Sequence, residues 1–211
     1  MFYAAKKSGD RPHNISHKID SRMIRVNEAM QLATYKFSTE EYHCMGETGI
    51  LPPNKNFELI RGEIIEKPST GFKHAYIVRK FIAFSHKKFN ATISIKDPIL
   101  LGTSSEPEPD AILLKPDETF YASRLPQASD ALLIVEVSDS TLRYDQTVKL
   151  SLYAENQIPE VWIVNIPDQQ LEVYRKPDGS NYLQTLILKE SETIAPLAFP
   201  ETEIAVQSIL G

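Results

Sequence analysis

The chain has 211 residues, 42% hydrophobic and 24% charged, with a net charge of −5. That suits one well-packed domain with an extension rather than two full domains, and no apolar run is long enough to span a membrane. The acidic balance gives no global attraction to nucleic acid, so a DNA-binding role needs a local basic surface, a metal, or both.

The first 35 residues are polar and weakly patterned, with Gly9, Asp10, Pro12 and Asn14, and read as an arm or extension ahead of a domain over 36–211. No apolar segment follows Lys6 and Lys7, so no secretory leader is expected. Cys44 stands alone, which excludes a disulfide framework and a thiolate zinc cluster and fits a cytoplasmic location. Residues 23–35 carry a loose helical pattern, and Ser38 with Glu41 three residues later forms a capping box that starts a short helix. "GILPPNKN" breaks it, and "FELIRGEIIEK" reads as a hairpin turning at Arg61-Gly62. After the loop "PSTGFK", residues 74–89 have Val78, Phe81, Ile82 and Phe89 at helical spacing, with Arg79, Lys80, Lys87 and Lys88 largely elsewhere.

Strand signals follow in "ATISIKDPILL", "PDAILLK" and the most apolar stretch, "ALLIVEV". "SDSTLRYD" leads into a helix, "DQTVKLSLYAENQ", and "VWIVN", "LEVYR" and "YLQTLIL" are strands before a Pro-broken tail. A helix between "ALLIVEV" and "VWIVN" predicts a parallel crossover, and the hairpins predict antiparallel additions. The fold class is therefore a mixed-sheet α/β or α+β domain.

Glu136 is the conspicuous residue of this pattern. Alternation puts Ile134, Glu136 and Ser138 on one face of a buried strand, where an ionised carboxylate needs a partner. A Glu near a strand end can also reach solvent or pair with an Arg. Asp110 opens "PDAILLK" directly after Pro109, and two carboxylates at the ends of adjacent strands can hold Mg²⁺. Lys149 lies four residues after Asp145 on the following helix, flanked on the wheel by Leu152 and Tyr153, which suggests partial burial rather than a surface pair. His74, at the head of its helix, and Glu63, after the hairpin turn, are weaker candidates. A Gly-rich phosphate loop, a paired-His helix motif and a Gly-x-Ser-x-Gly elbow are all missing, and no organic cofactor is expected.

The order of these segments is more specific than any one of them. "STEEY", "FELIRGEIIEK", "PSTGFKHA", "SEPEPDAILL", "LLIVEVSDSTLRYDQTVKLSLYAENQIPEVWIVN" and "LEVYR" together resemble the Uma-type restriction endonuclease family, over roughly residues 37–211. That family belongs to the PD-(D/E)XK nuclease superfamily, so the resemblance implies a restriction-endonuclease-like mixed β-sheet flanked by helices. Pro109-Asp110 and Glu136 match the first two parts of the superfamily motif. Ser138 stands where its Lys usually does, and Lys149 matches the position to which this family moves it. Arg61, Asp139 and Asn165 also depart from the usual Asp, Pro and Asp.

The resemblance implies a Mg²⁺-dependent DNA endonuclease, with Mn²⁺ a possible substitute, that cuts both strands as a homodimer. Asp110 and Glu136 would bind the metal, Lys149 would position or help activate water and stabilise the charged transition state, and Glu63 and His74 would be accessory, as partners of the ligands or as an additional ligand. The rival expectation is a non-catalytic nucleic-acid or protein-binding module on the same scaffold. Intact Asp110, Glu136 and Lys149 count against it. A metal-dependent hydrolase acting on another phosphoester would need the same residues.

Overall fold

The computed structural model describes residues 33–211; the expected arm and most of the 23–35 segment lie outside the described residues. Tyr35–Gly211 forms one compact unit. It opens with helix α1 (Thr39–Glu47), where the Glu41 N–H donates to Ser38 Oγ at 3.2 Å and the Ser38 N–H donates to Glu41 Oε2 at 2.8 Å. This reciprocal pair satisfies two amides that the first helical turn leaves without partners.

Strands β1 (Phe57–Ile60) and β2 (Glu63–Glu66) form an antiparallel hairpin. Arg61 and Gly62 between them have φ of 49° and 75°, the left-handed conformations that a type I′ loop requires. A Cβ at Gly62 would also lie 2.6 Å from Lys36 Cβ, so this turn takes glycine for space as well as conformation. Helix α2 (Phe72–Lys88) starts two residues before the expected His74 and buries Ile77, Val78 and Phe81 on one face.

"ATISIKDPILL" yields only the short strand β3 (Thr92–Ser94). Lys96 turns at φ 53°, and Pro98 cannot donate to a ladder. There follow β4 (Ala111–Leu114), β5 (Ala131–Ser138), α3 (Leu142–Tyr144), a π-helical turn (Asp145–Lys149) and α4 (Leu150–Glu155). Then come β6 (Glu160–Asn165), β7 (Gln170–Asp178) and β8 (Asn181–Leu188). The tail adds the two-residue strands β9 (Thr193–Ile194) and β10 (Ile204–Ala205) and a short helix α5 (Gln207–Leu210).

The main sheet has the order β3-β4-β5-β6-β7-β8. Its β5–β6 pair is parallel and every other pair is antiparallel, as the helix between those strands demands. Leu133, Val135 and Val137 of β5 pack with Ile77, Val78 and Phe81 of α2. Ile134 faces the other way, into a second core with Ile60, Ile112, Leu152 and Tyr153. Each such buried side chain contributes roughly 1.5–3 kcal/mol, so β5 is clamped from both faces. Among the described residues, no helix is long and apolar enough to cross a membrane.

Candidate active site

Strand register sets the first two residues of the site. β4 and β5 run antiparallel with Ala111 opposite Val135, so one step further brings Asp110 abreast of Glu136. Both Asp110 oxygens are held: the Val137 N–H donates to Oδ2 at 2.9 Å, and His74 Nε2 lies 2.7 Å from Oδ1. The ionised carboxylate can only accept, so that imidazole nitrogen carries the proton. Burial works against the Asp110 charge, but His74, the Val137 amide and the Lys149 ammonium outweigh it and hold the carboxyl below its usual range.

Glu136 shares the parity of Ile134 and so points toward the α3–α4 side of the sheet. Lys149 and Tyr153, four residues apart on one helix face, both converge on its Oε1. The Lys149 Nζ donates at 2.9 Å and the Tyr153 hydroxyl at 2.5 Å. Glu136 Oε2 has no hydrogen-bond partner among the described residues. Lys149 also lies 3.2 Å from Glu58 Oε2, on β1, so one ammonium serves two buried carboxylates. Asp145, at the start of the π turn, accepts from Ser138 Oγ and Thr141 Oγ1, each at 2.7 Å. In that turn the Leu150 N–H donates to Asp145 O, five residues back, and both Asp145 and Lys149 face inward. Such widened turns recur at functional sites.

The charges do not balance. Glu58, Asp110, Glu136 and Asp145 are all buried, and among the described residues they face one buried ammonium and one imidazole. Burial and the neighbouring Asp145 and Asp110 push the Glu136 carboxyl up to about 7 despite Lys149. Asp145 is raised as well, chiefly by burial. Burial disfavours the Lys149 charge, but Glu136, Tyr153, Glu58 and Asp145 together hold its ammonium well above the ordinary lysine value. A cation shared among several carboxylates gains from each, whereas every carboxylate obtains only a fraction of it.

These groups form the floor of a cavity of about 500 Å³, walled by the hairpin, the 67–71 loop, the start of α2 and residues 139–145. Lys67 reaches Glu108 on one wall, with Nζ 3.0 Å from its carbonyl and 3.1 Å from Oε2. The Tyr144 hydroxyl is buried there without a hydrogen-bond partner among the described residues.

The model of the Uma2 family, described as "Putative restriction endonuclease", matches residues 39–207, which is most of the chain. The chain belongs to the Uma2 family. Its fold is similar to the crystal structure of "a putative nuclease belonging to DUF820" from Anabaena variabilis. That likeness has a TM-score of 0.61 at 17% identity, and covers 79% of this chain and 96% of the other. None of the curated proteins compared with the chain matches it.

Of the residues singled out by sequence, this Uma2 chain brings Asp110, Glu136, Lys149 and His74 to one cavity. It does not bring Glu63 there. That side chain is 62% exposed and paired with Lys36. Glu63 lies opposite Ile60 at the turn, two residues along from Glu58 and so about 7 Å beyond it. Glu58 is the hairpin carboxylate that enters the floor. The sequence carried its signal, a lone charge in the apolar strand "FELI", the same kind of signal that marks Glu136. Ser138 braces Asp145 through its hydroxyl.

Proposed function

We propose that the cavity hydrolyses phosphodiester bonds in DNA and depends on Mg²⁺, with Mn²⁺ able to replace it. Membership of the family and the likeness in fold support nuclease chemistry in general. The observation that carries the finer reading is the excess of buried negative charge around Lys149, with one Glu136 oxygen free of hydrogen bonds.

That donor set fits a hard divalent ion. No three His, Cys, Asp or Glu side chains among the described residues are grouped to hold a metal by themselves. Mg²⁺ does not need such a cage, since it keeps several waters and takes one or two carboxylates. Asp110 and Glu136 would hold it, and when bound it would offset their charge and polarise a phosphodiester oxygen.

The chain's own groups have distinct tasks. His74 and the Val137 amide fix the Asp110 carboxylate, while Tyr153 and Lys149 fix Glu136. The Lys149 ammonium, held protonated, stabilises negative charge growing on the phosphoryl oxygens and orients the attacking water by donating to it. It is not the base. A homodimer would supply one such cavity for each strand of a duplex.

The test is cleavage of supercoiled, linear duplex and single-stranded DNA with Mg²⁺ or Mn²⁺, by wild type and by Asp110→Ala. Metal-dependent cutting that Asp110→Ala abolishes is the expected result. No cutting of any form, with no metal binding by calorimetry, overturns the reading. Sedimentation tests the dimer separately.

A further inference from the structure

The floor of the cavity is acidic and the whole chain carries −5, so a polyanion entering it meets repulsion unless something at the mouth offsets that charge. The mouth has such a feature. Six successive residues, Pro68–Lys73, are exposed and none is acidic. Phe72 is 98% exposed, so packing within the protein does not account for it. Gly71, the last residue of the 67–71 loop, lines the cavity, and Phe72 and Lys73 follow it just outside the lining, on the lip where α2 begins.

One turn along α2, Tyr76 is 47% exposed, and Lys80 Nζ lies 5.5 Å from the centre of its ring. Phe72, Tyr76 and Lys80 are spaced four apart and share a helix face. Lys96 stands on the opposite side of the loop, its Nζ 3.1 Å from Thr70 Oγ1, and it too lines the cavity. Aromatic rings interleaved with ammonium groups form a stacking platform with phosphate contacts, the combination that grips single-stranded nucleic acid.

We propose that this lip is a nucleic-acid contact surface, on which an unpaired base stacks against Phe72 while phosphates of the same strand meet Lys73 and Lys96. The assignment rests on the nuclease reading of the adjoining cavity. It adds a substrate preference to that reading: strands with unpaired bases bind better than blunt duplex, because a paired base keeps its faces covered.

The experiment measures binding of a fluorescein-labelled single strand and of the same sequence as a blunt duplex, by anisotropy in Ca²⁺, to the full chain and its variants. Phe72→Ala weakens single-strand binding about tenfold, and Phe72→Trp retains it. Lys73→Ala and Lys96→Ala each lower the salt dependence, by a slope of about 0.7. Wild-type affinity in Phe72→Ala overturns the proposal. So does a loss in Phe72→Ala that sedimentation traces to a change in self-association, since the lip then meets a second copy. If wild type cuts DNA while Phe72→Ala binds and cuts equally well, the lip falls and the nuclease reading stands. Binding through Phe72 without any cutting leaves the lip standing and removes the catalytic reading. Neither binding nor cutting removes both.

Discussion

Glu136 and Glu160 sit on neighbouring strands of one sheet, both are buried, and their surroundings differ in kind. Glu160 has a private partner. Arg175 donates to its Oε1 through Nε at 2.8 Å and forms an ion pair with it, Nη2 lying 2.6 Å away, and Trp162 Nε1 adds a bond at 2.8 Å. The Leu197 N–H closes its Oε2 at 2.6 Å, and Arg175 also donates to the Ala195 carbonyl. Nothing is left over. Glu136 crowds two donors onto one oxygen, leaves the other without one, and shares its only ammonium with Glu58. Burial alone therefore does not mark a functional carboxylate. What separates the two is whether the neighbourhood neutralises the charge.

Exchanging charge for neutrality at each position tests that distinction. The largest effect is expected at Glu136. Glu136→Gln lowers metal-dependent cleavage by about a thousandfold, while its urea midpoint stays at or above that of wild type because one surplus charge is gone. A large loss of stability instead would place Glu136 with Glu160. Glu160→Ala does the opposite: it leaves Arg175 without its counter-charge and destabilises the fold by about 3–5 kcal/mol in urea unfolding, with cleavage per folded molecule retained.

Glu172 offers an intermediate case, a buried carboxylate satisfied by neutral donors. Asn165 Nδ2, Gln146 Nε2, Gln170 Nε2 and the Tyr174 hydroxyl all reach it, at 2.6–3.0 Å for the shortest bond of each. Burial raises its carboxyl, but those donors outweigh it and hold it below the usual range. A lowered folded value means that its contribution is present above the unfolded glutamate pKa, about 4.3, and is lost as pH falls through the folded one. Glu172→Gln should therefore cost about 1–3 kcal/mol near neutral pH. The difference from wild type should close progressively below about pH 4, as followed by chemical denaturation across that range. The smallest effect belongs to Glu63. Glu63→Ala removes an exposed pair with Lys36 and should leave the urea midpoint essentially unchanged, with cleavage unaltered. Loss of cleavage there would restore an accessory role for it.

The elements nearest the cavity were legible because local pattern and long-range packing agree there. "ALLIVEV" is apolar enough to be a strand clamped on both faces, and its alternation already assigns Glu136 to the face of Ile134 and Ser138. Pro109 fixes where β4 can begin, which places Asp110. Glu58 is a different matter. Its own strand shows the isolated charge, but its place in the floor depends on how the hairpin docks on the 104–108 segment, with Leu59 bridged to Glu106. No spacing within "FELIRGEIIEK" encodes that docking, so the sequence singled out Glu63, beside the turn, and not Glu58. Tyr153 read as core, and its ring is core. Its hydroxyl acquires a role only once Glu136 lies beneath it. The π turn has no compositional mark in "DQTVK".

That turn has a consequence for how the chain tolerates change in length. A side chain on β5 can move along its face only in steps of two residues, since a shift of one sends it into the opposite core. A lysine on a helix is placed by angular phase instead, at about 100° per residue. The five residues Asp145–Lys149 take up one residue more than an α-helical turn would, and so set the phase of Lys149 and Tyr153 relative to Leu142–Tyr144. Deleting a single residue there would let the wide turn close into an α-helical one with the phase of the following helix kept, whereas deleting two would rotate both donors away from Glu136 by about that angle. The spacing between "TLRY" and "LSLYAE" is thus as much a part of the site as the residues that line it.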